Sequence, residues 1–280
     1  MTAAADTAGT TAGTTDGPPP APGDDAPAPA ARRRLTTLTR ANACIGGLLL
    51  GTMLAMALLA VCWTPYDPLA LDLRTKLKPP SAAHWLGTDE FGRDVASRIL
   101  AGAASSMTVA ALTVALATVL GTGVGAAAGF LRGTADRVLM ALNDALLAFP
   151  GILLALGLMM VVGPNRWGIV LALGLAYAPS VARVVRGTVL SLREREYVEA
   201  SRSIGNDEWT TLVRHVLPHC VAPVAVLATS MFGWVLLSES ALSFLGLGIP
   251  PPAPTWGNML AGARPYMEHA VWLGLAPGLC

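Results

Sequence analysis

Lysine is nearly absent from this 280-residue chain: Lys76 and Lys78 are the only two. Neither follows a glycine or precedes a serine or threonine, so the phosphate-cradling pattern GxxxxGK[ST] cannot be written anywhere. The metalloprotease pattern HExxH and the nucleophile elbow GxSxG are missing as well. No catalytic constellation is left, and any nucleotide hydrolysis has to be done by another chain. Charge is also scarce. Asp, Glu, Lys and Arg make up 13% of residues, where a soluble domain carries about 25%. The four cysteines, Cys44, Cys62, Cys220 and Cys280, form no CxxC pair. Cys44 and Cys62 sit at opposite ends of one apolar run, about 27 Å apart on a helix, too far to bridge. No metal site is suggested.

What the chain does have is apolar sequence in long runs, 53% of the total. That pattern predicts an all-α, polytopic membrane protein. Residues 1–31 are Ala, Thr, Pro, Gly and Asp with almost nothing large, too little apolar surface to offset ordering. A disordered tail is expected over 1–40, and it includes the basic Arg32-Arg33-Arg34 and Arg40. The first span is expected from Ala43 to Trp63, within a segment 41–104 that also holds a long loop. The run is too long for a signal peptide. Within a core of 105–280, further spans are expected at Ser106–Phe130, Val138–Val162, Trp167–Val185 and Val221–Leu245. A sixth begins near His269 and reaches only Cys280, which predicts a truncated last span.

Arginine placement orients these spans. Residues 32–40, the pair Arg132 and Arg137, and the stretch 183–219 hold most of the basic side chains. The loop after the first span matches its bases with Asp67, Asp72, Asp89, Glu90 and Asp94. The positive-inside rule therefore puts the N-terminus and residues 183–219 in the cytoplasm.

That cytoplasmic stretch is the most informative part of the chain. Leu190, Leu192, Tyr197, Val198 and Ile204 alternate with Arg193, Glu194, Arg195, Glu196, Glu199 and Arg202 at helical spacing. An amphipathic rod is expected to end at Gly205, since glycine accepts the left-handed C′ conformation. Asn206-Asp207 can cap a second helix, which runs through Trp209 to His215 and stops before Pro218. A long loop with its own helices and a fixed break predicts a docking element, at about 190–218, for a partner protein.

Inside the expected membrane region, Gly121, Gly125 and Gly129 fall on one helix face. Such spacing lets two helix backbones approach closely, and the neighbour is either another helix of this chain or a partner subunit. Pro150 and Pro179 lie in or beside spans, and Pro223 opens the fifth. Asp144 and Glu239 are the acids nearest apolar surroundings. Each is placed where it can reach an interface, with structural hydrogen bonding, and a role in a pathway or a subunit contact, as the open readings.

With these residues in hand, the chain resembles the inner-membrane permease subunits of ABC importers, whose signature is Glu-Ala-Ala, three residues, Gly, nine residues, then Ile-x-Leu-Pro. Here Glu199-Ala200-Ser201, Gly205 and His215-Val216-Leu217-Pro218 keep the spacing. Ser201 and His215 depart from it. Further stretches resemble the second permease of the dipeptide/oligopeptide branch: His84-Trp85-Leu86-Gly87-Thr88-Asp89-Glu90-Phe91-Gly92-Arg93-Asp94, then Asp136-Arg137 with Asp144 and Phe149-Pro150, then Arg214 to Pro218, and Glu239 to Gly248 with Trp256-Gly257.

The resemblance implies a type I ABC importer transmembrane fold of six spans in the bacterial cytoplasmic (inner) membrane. It implies a homologous second permease, two ATP-binding subunits and an extracytoplasmic solute-binding protein as partners, and no nucleic acid. The chain itself would bind no cofactor, and ATP and Mg would be used by the partner ATPase. Glu196, Tyr197, Glu199, Ala200, Ser201, Ile204, Gly205, Leu217 and Pro218 would form the coupling helix and its support. Short peptides are the expected cargo. Nickel or another small solute, and a stand-alone secondary carrier, are the alternatives.

Overall fold

The computed structural model describes residues 29–280, with side chains from Cys44 onward. Residues 1–28 of the expected tail lie outside the described residues. Helix α1 spans Pro29–Cys62, so residues 29–40 are helical instead of tail. Ala and Arg are strong helix formers, and a proline is tolerated in a first turn. The packing described below concerns residues from Leu49 onward.

Helix α2, Val95–Leu131, starts well before the expected Ser106. Asp94 fixes that start: its Oδ2 accepts from the Ser97 backbone N–H at 2.8 Å and from the Ser97 hydroxyl at 2.7 Å. The third expected span is not continuous. It is two helices, α3 (Gly133–Leu147) and α4 (Gly151–Val162), bent by 92°. Pro150 supplies no N–H and disfavours the helical region for Phe149 before it, so the helix cannot run through.

Helix α5, Arg166–Arg193, is capped by Asn165, whose Oδ1 accepts from Gly168 N at 2.7 Å. It carries Pro179 in its interior, where the buried Asn143 of α3 donates to the Pro179 carbonyl at 3.2 Å. Two short helices follow, α6 (Glu196–Ser203) and α7 (Glu208–Thr211). Then comes α8, Leu217–Phe244, with Pro223 inside it and not at its start. The chain continues as α9 (Trp256–Ala263) and α10 (Trp272–Gly278). The segment expected to begin a sixth span is thus a seven-residue helix. Among the described residues four helices are long and apolar enough to cross a membrane, or five if the bent α3–α4 pair counts as one.

The core forms around α5, the most enclosed of the long helices. Val181, Val185 and Val189 of α5 are fully buried against α2. Glycine makes that approach possible. A Cβ on Gly121 would lie 2.5 Å from the Ala178 carbonyl oxygen, and one on Gly125 only 2.3 Å from that of Ala182. A Cβ on Gly129 would meet Val189 at 3.0 Å. The glycine face therefore serves packing within the chain, α2 on α5, and leaves that face no room for a second subunit. A separate apolar cluster of Val95, Ile99, Ala263, Ala270 and Leu273 joins the start of α2 to α9 and α10. Trp256, which clusters with Ala57 and Ala103, donates its indole N–H to the Ile99 carbonyl at 3.2 Å.

Candidate functional site

The expected platform exists, but its first helix is not one rod. α5 ends at Arg193, and α6 begins afresh at Glu196. Tertiary contacts set this break. The Arg193 guanidinium turns back to donate to the Phe130 carbonyl of α2 and sits over the Phe130 ring, 5.3 Å from its centroid. Arg132 holds Glu194 at 3.0 Å. Arg186 grips Asp136 of α3 with two bonds of 2.6 and 2.7 Å, the bidentate geometry that arginine favours. The base of the platform is thereby staked to α2 and α3.

α6 ends as the sequence predicts. Gly205 has φ +89°. Its N–H donates to the Arg202 carbonyl at 3.0 Å, and the Asn206 N–H donates to Ser201 at 3.2 Å. This is a Schellman termination. A Cβ at Gly205 would meet nothing within 4 Å, so the demand for glycine here comes from backbone conformation alone. Asp207 then caps α7 by accepting from the Thr210 N–H at 3.1 Å. Hydrogen bonding from Thr210 holds the Asp207 carboxyl below the usual carboxylate range.

The second half departs from expectation. The helix does not stop before Pro218. A π-turn over Leu212–Val216 carries α7 into α8, with Leu217 N–H donating to the Leu212 carbonyl. The wider turn shifts the bonding by one residue, and Pro218 falls in the first turn of α8, where its missing N–H costs little.

The platform divides cleanly into a seated face and an open one. Val198, Ser201, Thr211, Leu212 and Val216 are buried. Glu196, Tyr197, Glu199, Ala200, Ile204, Gly205 and Pro218 are exposed, and Leu217 is half-buried. Ile204 is 79% and Trp209 70% exposed, on a segment whose polarity would not otherwise tolerate them. Tyr197 stacks on His219 at 5.6 Å between ring centroids. Ser201, which stands where the family pattern has alanine, has partners of its own. Its hydroxyl lies 3.0 Å from that of Thr211 and accepts from Asn206 Nδ2 at 3.0 Å, which ties α6 to α7. Sequence reasoning missed Asn206 and Thr211 as members of this buried polar knot. The signal was a serine where the pattern has alanine.

The two acids separate. Asp144 forms an exposed ion pair with Arg183 of α5 at 2.7 Å. Glu239 is fully buried within the chain. Its Oε1 accepts from the Ser243 hydroxyl at 2.7 Å. In the loop between α1 and α2, a second set of charges is enclosed. Asp89 accepts from the N–H groups of Phe91 and Arg93, both at 2.9 Å, and from Arg93 Nε at 2.6 Å. Arg98 Nε lies 3.4 Å from the same carboxylate. His84 Nδ1 is 3.0 Å from Asp94 Oδ1.

Residues 120–280, which contain the whole platform, match the model for the binding-protein-dependent transport system inner membrane component. The chain belongs to that family. This permease is 42% identical over 235 residues to a putative peptide transport system permease protein of Brucella suis, covering 84% of the chain and 79% of the relative. It is 40% identical over 234 residues to the glutathione transport system permease protein GsiD of Pectobacterium atrosepticum, covering 83% and 78%. It is 39% identical over 242 residues to the di/tripeptide transport system permease protein DppC of Pseudomonas aeruginosa, covering 84% and 80%. The all-α fold, the apolar helices and the family together make it a multi-pass permease subunit of an ABC importer in the inner membrane.

Proposed function

We propose that this permease forms half of the path by which short peptides enter the cell, and that its platform is the coupling element for an ATPase subunit. The observation that carries the proposal is the open face of α6 and α7. Ile204, Trp209 and Tyr197 offer apolar anchors, and Glu196, Glu199 and Arg195 surround them with charge. Such anchors rimmed by polar groups suit a protein partner. A basic groove on an ATPase would receive Glu199. Closure of two ATPases on ATP and Mg would push α6, and the staked base at Arg186 and Arg193 would pass the motion to α2, α3 and α5. This chain would bind no cofactor itself and catalyse nothing.

In this reading the N-terminus and platform face the cytoplasm, and the α1–α2 loop faces the delivering solute-binding protein. A homologous second permease completes the path. The peptide cargo is supported by the names that the relatives carry: peptide, di/tripeptide and glutathione systems. Nickel or another small solute remains the alternative cargo, because the binding protein does most of the selecting.

The test is reconstitution. The permease, its partner permease, both ATPases and the binding protein are placed in proteoliposomes, and labelled dipeptide uptake is followed with and without ATP. ATP-dependent uptake is the expected result. Uptake driven by an ion gradient without the ATPases would favour a secondary carrier.

A further inference from the structure

Between the α1–α2 loop, the α8–α9 loop and α9 lies a cleft of about 480 Å³, within the usual range for small-ligand sites. Its walls are apolar at Phe91, Val95, Ile249, Pro250, Met259 and Leu273. Two enclosed guanidiniums, Arg93 and Arg98, also line it, each with less than a tenth of its surface exposed. Two carboxylates, Asp89 and Glu90, line the cleft beside them, and the Arg93 guanidinium sits over the Phe91 ring, 4.6 Å from its centroid. Asp89 is the one carboxylate in close contact with both, and its oxygens are already taken by two backbone N–H groups and the two Nε atoms. Arg98 Nη1 donates to the Pro68 carbonyl at 3.2 Å. Among the described residues, no hydrogen bond from either Nη of Arg93 is present. Glu90 Oε1 stands 3.9 Å from Arg93 Nη2, beyond hydrogen-bonding distance. The start of α2 at Val95 also lies along this wall, its first turn capped by Asp94.

We propose that this cleft is a carboxylate subsite, taking a small carboxylate that carries an apolar side chain. The Nη donors of Arg93 receive the carboxylate, the ring and aliphatic wall takes the side chain, and Glu90 is the loose internal counter-ion that the ligand displaces. A buried arginine with open donors favours such a ligand because charge-assisted bonds in an enclosed site are strong. The C-terminal end of a short peptide is the natural instance, and that last step rests on the proposed function.

The experiment uses the permease assembled with its partner permease and ATPases in nanodiscs, without the binding protein, which would select ligands itself. N-acetyl-leucine and N-acetyl-leucinamide are titrated calorimetrically. The carboxylate should bind at least about tenfold more tightly than the amide, the usual worth of one charged hydrogen bond. Arg93→Gln should abolish the preference. Because that change disturbs the contact with Asp89, Glu90→Gln is the decisive variant: it removes only the competing charge, and should tighten N-acetyl-leucine binding severalfold while leaving the amide unchanged. Equal affinity for the two probes, or a Glu90→Gln variant with unchanged or weaker carboxylate binding, overturns the subsite. Carboxylate preference in a complex that imports no peptide would retain the subsite and remove the peptide reading. Peptide import without the preference would do the reverse.

Discussion

The end of the α1–α2 loop and the platform are both charged regions of this greasy chain, and they use charge in opposite ways. Where the end of the loop meets the first turn of α2, Asp89, Arg93, Asp94 and Arg98 are all less than a tenth exposed and bonded to one another or to backbone. In the platform, Glu196, Glu199 and Arg195 face solvent beside bare Ile204 and Trp209. Enclosed, paired charge fixes a local structure and is costly to break. Exposed charge around apolar anchors contributes little to folding, so its presence points to a partner. The enclosed cluster completes most of its bonding within the chain, and under the proposed function the open face of the platform is the part that meets another protein.

The largest effect is expected at the enclosed charges. Asp89→Ala leaves Arg93 and Arg98 enclosed without their shared carboxylate. A loss of about 3–5 kcal/mol is expected for an orphaned buried charge, read as a collapse in yield and melting temperature of the purified permease. A loss below about 1 kcal/mol would mean that the loop charges are no more structural than surface ones. Next comes the scaffold that carries the platform. Gly125→Val places a side chain into the Ala182 backbone, and overpacking of this kind costs about 1–3 kcal/mol. Its check is the same thermal measurement, with Gly123→Val, whose Cβ meets nothing within 4 Å, as the silent control.

In the platform the expected effects move from stability to function. Gly205→Val forces a β-branched residue to φ +89°, a strain of about 1–2 kcal/mol. Because nothing crowds the side chain, the protein should still fold, while ATP-driven uptake falls by at least about tenfold through the misplaced helix. Glu199→Gln should leave the melting temperature unchanged and lower the affinity for the ATPase severalfold in a titration of the complex. The smallest effect belongs to the exposed Arg183–Asp144 pair. A double-mutant cycle there should return about 0–1 kcal/mol. A larger coupling would move Asp144 from a surface tie to a working part of the path.

How much of this the sequence carries depends on the range of the contacts involved. The termination at Gly205 and the cap at Asp207 are local, and their residues announce them. The spacing of Gly121, Gly125 and Gly129 announces a close contact, but its partner is α5, more than fifty residues along the chain, and no periodicity names it. The 92° turn at Pro150 is hidden because the apolar run continues through it, and hydropathy does not register a missing N–H. The break at Glu194 coincides with the contacts of Arg193 to Phe130 and of Arg132 to Glu194, between residues more than sixty positions apart, which local helical propensity does not register. Glu239 looks accessible in sequence because Ser243 and its neighbours give no sign of how tightly α2 and α8 enclose it.

The central claim is that the platform's open face is covered by an ATPase and the α1–α2 loop is not. The direct measurement is maleimide labelling of two single-cysteine variants made in a background without the four native cysteines, Ile204→Cys and Trp85→Cys, with and without the ATPase subunits and in the absence of the binding protein. Both positions are well exposed in the permease alone. Ile204→Cys should lose most of its labelling when the ATPases assemble, while Trp85→Cys keeps its rate. Equal labelling of Ile204→Cys in the free and assembled permease would contradict the docking account.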